Sequence, residues 1–285
     1  MSGTFTWLHL SDLHVGQKGQ SWLWPNVKSI FLQDLAALLK DSGTIDAVIF
    51  SGDLTQKGSQ EEYEGLTKVL EEIWSILKHA GSDPILFAIP GNHDLVRPDE
   101  SPVGEVLKDW WDRPKTREQF WSKDKDYYPH VCATFSNYMS WIEDLQGHPT
   151  IRLGASNQGI LPGDASATLQ INGIKVGLVG LNTAFLQLTS DNYEGKLDLN
   201  VHQMLAVTES APSEWCLKHD VNFLITHHPT SWLKDQAHFE EHIYHPNRFT
   251  AHLFGHLHDI DDVTISRGGA GRKSVQAASL FGLEY

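Results

Sequence analysis

The chain contains five short apolar runs, and each of them ends in a cluster of Asp, Asn or His side chains. The runs are FTWLHL, AVIF, ILFAIP, NFLIT and AHLF, and the polar clusters follow at Ser11, Ser51, Gly91, His227 and Gly255. Runs of this length that lack polar alternation are typical of strands buried on both faces. We therefore predict a sheet whose strand ends carry the chemically active side chains.

Helical patterns separate these runs. Residues 26–41 and 60–80 carry apolar residues at helix spacing, and Ser59 and Glu62 have the spacing of a capping box. Residues 200–218 predict a third helix, residues 175–182 a further strand, and the segments around Gly268 a hairpin. Alternating strands and helices predict a layered α/β fold, in which ligands collect at the carboxyl ends of the strands.

Residues 96–162 lack this alternation and are rich in aromatic residues, among them Trp110, Trp111, Trp121 and Trp141. We interpret them as a mostly helical insertion, a cap or lid within a single domain that spans residues 1–285. Packing of these aromatic side chains onto the sheet is favoured over stacking on bases or contact with substrate.

Composition restricts the partners and the compartment. The chain has 22 basic and 36 acidic residues, a formal charge of −14 that opposes binding to a long phosphate backbone. No apolar run is long enough to span a membrane. Two isolated cysteines and the absence of a secretion signal favour the cytoplasm. The 16 histidines direct attention to metal binding and acid–base chemistry.

Seven side chains at the predicted strand ends have the chemistry of metal ligands. A tetrahedral zinc site uses about three protein ligands, so seven groups suit two metals that share a carboxylate better than one metal. Nitrogen and oxygen donors without thiolates suit Mn, Fe, Zn, Co or Ni. The seven residues are Asp12, His14, Asp53, Asn92, His227, His256 and His258.

Taken in order, the polar clusters resemble the five-part signature of the calcineurin-like metallophosphoesterases. The matching motifs are DLH at 12–14, GD at 52–53, GNHD at 91–94, THHP at 226–229 and GHLH at 255–258. The resemblance extends over nearly the whole chain, although the insertion at 96–162 has no counterpart in it. It implies an α/β/β/α sandwich.

The resemblance also implies a role for each motif residue. Asp53 would bridge two metals, His93 would face the phosphate to stabilise charge or protonate the leaving oxygen, and Asp94 would orient His93. His228 would line the substrate pocket. The first metal would be held by Asp12, His14, Asp53 and His258, and the second by Asn92, Asp53, His227 and His256. His9 and His252, which share strands with the motifs, are expected to be core residues.

The expected function is therefore binuclear metal-dependent hydrolysis of phosphate esters, with a metal-bridging hydroxide as nucleophile. Small phosphodiesters or nucleotides are the expected substrates. Two alternatives stay open: a DNA or RNA nuclease of the same fold, and a metal-binding effector or regulatory module of a longer protein with little activity alone. The end of the chain at SLFGLEY leaves room for further domains.

Overall fold

Two β-sheets lie face to face at the centre of the structure, a computed structural model that describes residues 3–18, 20–98, 101–258, 261–267 and 270–280. The first sheet contains four parallel strands in chain order. They are β1 (Trp7–Leu10), β2 (Ala47–Phe50), β3 (Ile85–Ala88) and β4 (Arg152–Leu153).

The second sheet has seven strands. They are β5 (Asn157–Gln158), β6 (Ala165–Ile171), β7 (Ile174–Gly180), β8 (Val221–Ile225), β9 (Ala251–Phe254), β10 (Asp261–Arg267) and β11 (Ala270–Gln276). Their spatial order is β10-β11-β9-β8-β7-β6-β5, with a parallel centre from β11 to β7. The hairpin predicted in the tail is β10 paired antiparallel with β11, although Gly268 itself lies outside the described residues.

Helices lie between several of these strands. They are α1 (Gln20–Ser42), α2 (Gln60–His79), α3 (Pro102–Lys108), α4 (Pro114–Trp121), α5 (Tyr128–Thr134), α6 (Ser136–Leu145), α7 (Val201–Val207), α8 (Pro212–Leu217) and α9 (Gln236–His238). Short 3₁₀ segments lie at Trp110–Asp112 and Thr230–Trp232, and a π-helical turn follows α9 at Phe239–Ile243. In the described part of the chain, no helix combines the length and the apolar character needed to cross a bilayer.

The two faces of the first sheet bury different partners, which confirms the predicted α/β/β/α layers. On β2, Val48 and Phe50 pack into a core shared with α1, α2 and α6, whereas Ile49 packs into the core between the sheets. This alternation follows from the two-residue period of a strand. The other face of the second sheet packs against α7, α8 and the aromatic residues of the insertion.

The structure confirms α2 in detail and corrects α1. Ser59 and Glu62 form the predicted capping box at the start of α2, whose apolar stripe is buried. On α1, Leu35 and Leu39 are buried as expected, but Ile30 and Leu38 are 60% and 50% exposed. The apolar face of α1 is therefore narrower than its sequence pattern predicts.

The single helix predicted at 200–218 is wrong, because the structure contains two helices there. Glu209 and Ser210 have positive φ angles after α7, and Pro212 starts α8. Proline cannot donate the backbone hydrogen bond that a continuous helix needs at this position.

Residues 96–162 are mostly helical, as predicted, and contain α3 to α6, but the end of this range also contains β4 and β5, which belong to the two sheets. Three aromatic residues of the insertion, Trp110, Phe120 and Trp121, pack with Phe185 from the loop after β7 into what we call the aromatic cluster. Trp141 is buried separately against α2, where its Nε1 donates to the Thr67 hydroxyl. Packing thus accounts for these side chains; a role for the insertion as a lid stays a prediction.

Candidate metal centre

The five polar clusters lie together at one edge of the two sheets, at the carboxyl ends of β1, β2, β3, β8 and β9. Left-handed backbone conformations occur at Asp12, His14, Asp53, His256 and His258, with φ between 51° and 74°. Two glycines permit the close approach of these loops. A Cβ on Gly91 would overlap the Asp53 carboxylate, and one on Gly255 would overlap the Ser11 hydroxyl.

One group of donor atoms forms around the end of β1. His14 Nε2 lies 3.9 Å from Asp12 Oδ1 and 3.9 Å from Asp53 Oδ2. His258 Nε2 lies 3.4 Å from Asp12 Oδ1 and 3.5 Å from His14 Nε2. We call these four side chains the first donor group.

A second donor group lies beside it. His227 Nε2 is 3.2 Å from Asp53 Oδ2, 3.1 Å from Asn92 Oδ1 and 3.2 Å from His256 Nδ1. Asp53 Oδ2 therefore belongs to both groups. The structure brings together all seven side chains that the sequence singled out.

The two groups fit divalent cations. Ligand atoms at 2.0–2.2 Å from a tetrahedral cation lie about 3.3–3.6 Å apart, close to the separations found here. The remaining carboxylate oxygens are fixed by backbone donors, since His93 N donates to Asp53 Oδ1 at 2.8 Å and His256 N donates to Asp12 Oδ2 at 3.1 Å. These bonds leave Asp12 Oδ1 and Asp53 Oδ2 directed at the donor groups.

The carboxylates and two of the imidazoles have protonation states that suit metal binding, which requires ionised carboxylates and neutral imidazoles. Burial alone would raise the pKa of Asp53, but the neighbouring His227 and His93 hold it well below its usual range. Burial lowers the pKa of His256 to about 3 and also lowers the pKa of His14. Although burial opposes it, the Asp53 carboxylate raises the pKa of His227 to about 9, so a cation would replace a proton there.

Backbone carbonyls orient two of the imidazoles. The Ser51 carbonyl accepts from His227 Nδ1 at 2.9 Å, which leaves Nε2 as the ligand atom. The Gln56 carbonyl accepts from His93 Nδ1 at 2.9 Å, and the His93 ring lies 4.7 Å from the His14 ring. His93 is thereby held beside the first donor group with its Nε2 directed away from Gln56.

The expectation that Asp94 orients His93 needs correction. The Asp94 carboxylate accepts from the backbone of Leu54, Thr55 and Gly91 and from the Thr55 hydroxyl. Among the described residues, Gln56 bonds to the His93 ring and Asp94 does not. Asp94 instead joins the loop after β2 to the loop after β3.

His228 lies behind the second donor group. Its ring is 1% exposed, packs 4.4 Å from the His256 ring, and shares a hydrogen bond with the Thr183 hydroxyl through Nδ1. The half-buried Trp232 covers His256 at 4.0 Å between ring centroids. The role of His228 in substrate binding stays a prediction.

His252 is buried and His9 is half-buried, and both bond to hydroxyls. Their partners are Ser51 at 2.9 Å and Thr226 at 2.7 Å. Both residues are therefore part of the core.

Sequence reasoning missed several residues that shape the centre. The carbonyls of Ser51 and Gln56 carry no sequence signal, because every residue supplies one. Ser279, whose hydroxyl donates to the Asp12 carbonyl, is 267 residues away in the chain. Arg97 could have been noticed as a basic residue four positions after His93 in a strongly acidic chain; it donates to the Asn92 carbonyl at 2.6 Å.

Comparison with known proteins gives a family and distant structural neighbours. A sequence model of the calcineurin-like phosphoesterases matches residues 5–259. A search of curated proteins found no match. Among solved structures, the chain is similar to the sulfate thiohydrolase SoxB of Thermus thermophilus in complex with glycerol, with 14% identity and a TM-score of 0.46 over 98% of this chain and 52% of SoxB. It is also similar to a hypothetical protein from Thermus thermophilus, with 15% identity and a TM-score of 0.43 over 95% of this chain and 74% of that one. The chain spans about half the length of SoxB.

Proposed function

This chain belongs to the calcineurin-like phosphoesterase family, whose members hydrolyse phosphate esters with divalent metals, and from that premise we propose that it uses two cations to hydrolyse small phosphodiesters or nucleotides. The observation that carries the proposal is the convergence of seven side chains into two donor groups that share Asp53 Oδ2. One metal alone would leave one of the groups unused.

Each residue of the centre has a task that its contacts support. Bound cations would supply Lewis-acid activation of the phosphate and of the attacking water. Asp12 and Asp53 offset the positive charge, and Asn92 and the imidazoles complete the donor sets. Because His93 Nδ1 is held by the Gln56 carbonyl, Nε2 is the atom that delivers a proton to the leaving oxygen.

Two observations favour a small ester over a nucleic acid strand. The net charge of −14 opposes binding to a long phosphate backbone, and two cations would offset only about four of these charges. Trp110 and Trp141 are 1% and 4% exposed, so their rings are covered and cannot stack on unpaired bases, whereas Trp111 and Trp121 are half-buried. Both observations favour a small ester, and the nuclease is the alternative that the test must exclude.

The donor chemistry supports Mn, Fe, Zn, Co or Ni, since every proposed ligand atom is nitrogen or oxygen. We further propose a cytoplasmic location. Cys132 and Cys216 are both free thiols, which suits a reducing compartment.

Metal reconstitution tests the proposal. Chelated protein is titrated with Mn²⁺, its metal content is measured by elemental analysis, and its rate is followed with bis-p-nitrophenyl phosphate and p-nitrophenyl phosphate. We expect two cations per chain and hydrolysis that requires both. A content that never exceeds one under metal-replete conditions would contradict the proposal.

The same preparation is then tested on duplex and single-stranded DNA at two salt concentrations. We expect weak binding at physiological salt and slower cleavage than of the small diester. Tight, salt-sensitive binding with rapid strand cleavage would instead favour the nuclease.

A further inference from the structure

Arg97 is a half-buried cation at the edge of the metal centre. Its Nη2 donates to the Asn92 carbonyl at 2.6 Å and its Nε donates to the Gln187 carbonyl at 3.0 Å. Burial lowers the pKa of Arg97 and the Asp53 carboxylate opposes this shift, but a guanidinium keeps its charge in proteins. One edge of the guanidinium is thus fixed, next to a proposed metal ligand.

Among the described residues, no carboxylate lies within ion-pair distance of the Arg97 guanidinium. Its two partners are neutral carbonyls that satisfy Nε and Nη2 only. A partly desolvated cation without an anion is unfavourable unless a ligand supplies the negative charge. Arg97 is therefore a better candidate for ligand binding than for a purely structural contact.

A cavity of about 600 Å³ is open to Arg97, and we call it the Arg97 cavity. It is lined by polar side chains of α3 and its approach, including Ser101 and Glu105, and by Ser190 and Asp191 of the loop after β7. Its volume is within the range of small-molecule sites. None of the proposed metal ligands lines this cavity; Arg97 connects the two places, since it lines the cavity and also donates to the backbone carbonyl of Asn92.

We propose that Arg97 and this cavity bind a second anionic group of the substrate, a phosphate or a carboxylate, while the scissile phosphate occupies the metal centre. The inference rests on the proposed function and narrows its substrate class to compact esters with a further negative charge. A guanidinium suits such a group because its planar donors match the oxygens of both anions.

The charges around the cavity also limit the size of that anion. Glu105 and Asp191 line it, and Lys108 pairs with both, at 3.0 Å and 2.9 Å. Apart from Arg97 itself, two carboxylates against one ammonium leave the rest of the wall with a net negative charge. A single anion reaches Arg97, whereas a polyanion would extend along this wall and be repelled.

Calorimetric titration with two matched phosphonates tests the inference on the full chain loaded with Mn²⁺. Both 3-phosphonopropionate and butylphosphonate carry a phosphonate for the metal centre, but only the first adds a carboxylate. We expect 3-phosphonopropionate to bind at least about 10-fold more tightly, the size of one charge-assisted contact. In Arg97→Gln we expect the two dissociation constants to agree within about twofold.

A control and a second variant separate ligand binding from structural support. Arg113→Gln removes an exposed arginine that pairs with Asp109, and it should keep the wild-type ratio of dissociation constants. Glu105→Gln removes one negative charge from the cavity wall and should raise the ratio about twofold. The ratio is informative because loss of a structural contact would weaken both phosphonates alike.

The outcomes distinguish the two proposals. If bis-p-nitrophenyl phosphate is hydrolysed and butylphosphonate binding requires metal, but the wild-type ratio is near one, the anion subsite is overturned and the proposed function stands. If Arg97→Gln weakens both phosphonates equally, or Glu105→Gln leaves the ratio unchanged, the subsite is likewise overturned. If neither phosphonate binds in a metal-dependent way and the diester is not hydrolysed, the proposed function itself fails.

Discussion

The metal centre and the aromatic cluster are built in opposite ways. Among the described residues, ten non-glycine residues have positive φ, and five of these are proposed metal ligands. None of the four residues of the aromatic cluster is among them, and their rings pack in edge-on or stacked pairs at 5.1–6.3 Å. Strained backbone costs on the order of 1–3 kcal/mol per residue, whereas aromatic pairs stabilise the fold.

The metal centre thus contains strained backbone that lowers stability but positions metal ligands, whereas the aromatic cluster stabilises the fold. In the loops after β1, β2 and β9, proposed metal ligands adopt the left-handed backbone conformation. Metal binding needs both their donor atoms and the directions in which those atoms point. The insertion supplies packing for the outer face of the second sheet. We therefore expect substitutions in the metal centre to remove activity and substitutions near the aromatic cluster to change stability.

Asp53→Asn should have the largest effect. Asp53 Oδ2 belongs to both donor groups, so loss of its charge should weaken both metal sites. Each cation contributes several kcal/mol to the transition state, and 1.4 kcal/mol is tenfold, so kcat/KM should fall by at least about 10⁴-fold. Metal analysis and steady-state kinetics on bis-p-nitrophenyl phosphate measure both effects.

The exposed Asp41→Asn is the matched control for Asp53→Asn and should retain metal and rate. Full metal content together with full rate in Asp53→Asn would show that Asp53 is not the bridge.

His93→Ala should reduce the rate without removing metal. The His93 ring is held by Gln56 beside the first donor group, and loss of one general acid reduces the rate by roughly 10²- to 10⁴-fold. The loss should be smaller for substrates with good leaving groups such as p-nitrophenolate, because these need less protonation. Rates for two diesters of different leaving-group pKa, with metal analysis, test this.

Substitution of the exposed His130 by Ala is the control for His93→Ala and should leave the rate unchanged. Metal loss in His93→Ala would instead place His93 among the ligands.

Near the aromatic cluster, the buried Asp198 should make stability depend on pH. Burial raises the pKa of Asp198 to about 6, although Trp110 Nε1 donates to its Oδ2 at 3.0 Å. The unfolded value is near 4, so the folded chain binds the proton more tightly, and this contribution to stability is lost as pH rises from about 4 to 6. Relative to Asp198→Asn, the wild type should lose up to about 3 kcal/mol over that interval.

Urea denaturation at pH 4.5, 5.5 and 7 measures the free energies of unfolding of wild type and Asp198→Asn. The exposed Asp112→Asn is the control and should follow the wild type at every pH. If the difference in free energy of unfolding between wild type and Asp198→Asn were the same at every pH, Asp198 would not titrate in this range. A lower rate per folded molecule in Asp198→Asn would instead connect the aromatic cluster to the metal centre.

The sequence predicted much of the metal centre because its information is local. Five short strands end in donor residues, and the carboxyl ends of parallel strands meet at one edge, so convergence of Asp12, Asp53 and His227 follows from the pattern. The capping box at Ser59 and Glu62 likewise fixed the start of α2. These features depend on neighbouring residues and on the period of a strand or helix.

Other features depend on contacts that no local pattern encodes. Asp94 is adjacent to His93 in sequence, yet its carboxylate bonds to the loop at Leu54 and Thr55, 39 or 40 residues away. The exposure of Ile30 on α1 depends on how the helix sits on the sheet. The break before α8, in contrast, could have been predicted from the sequence, because Pro212 disfavours a helical residue before it.

Gln56→Ala should have the smallest effect and tests how His93 is held. The backbone carbonyl of Gln56 contacts His93 Nδ1 at 2.9 Å, and its side-chain amide lies farther, at 3.3 Å. Truncation keeps the carbonyl, and Nδ1 cannot accept from the amide while it donates to that carbonyl, so kcat should fall by less than about fivefold. Kinetics on the diester used for His93→Ala give the comparison. If Gln56→Ala approached the loss of His93→Ala at unchanged metal content, the side-chain amide would hold the ring. The conclusion that a backbone carbonyl, and not a side chain, orients His93 would then be wrong.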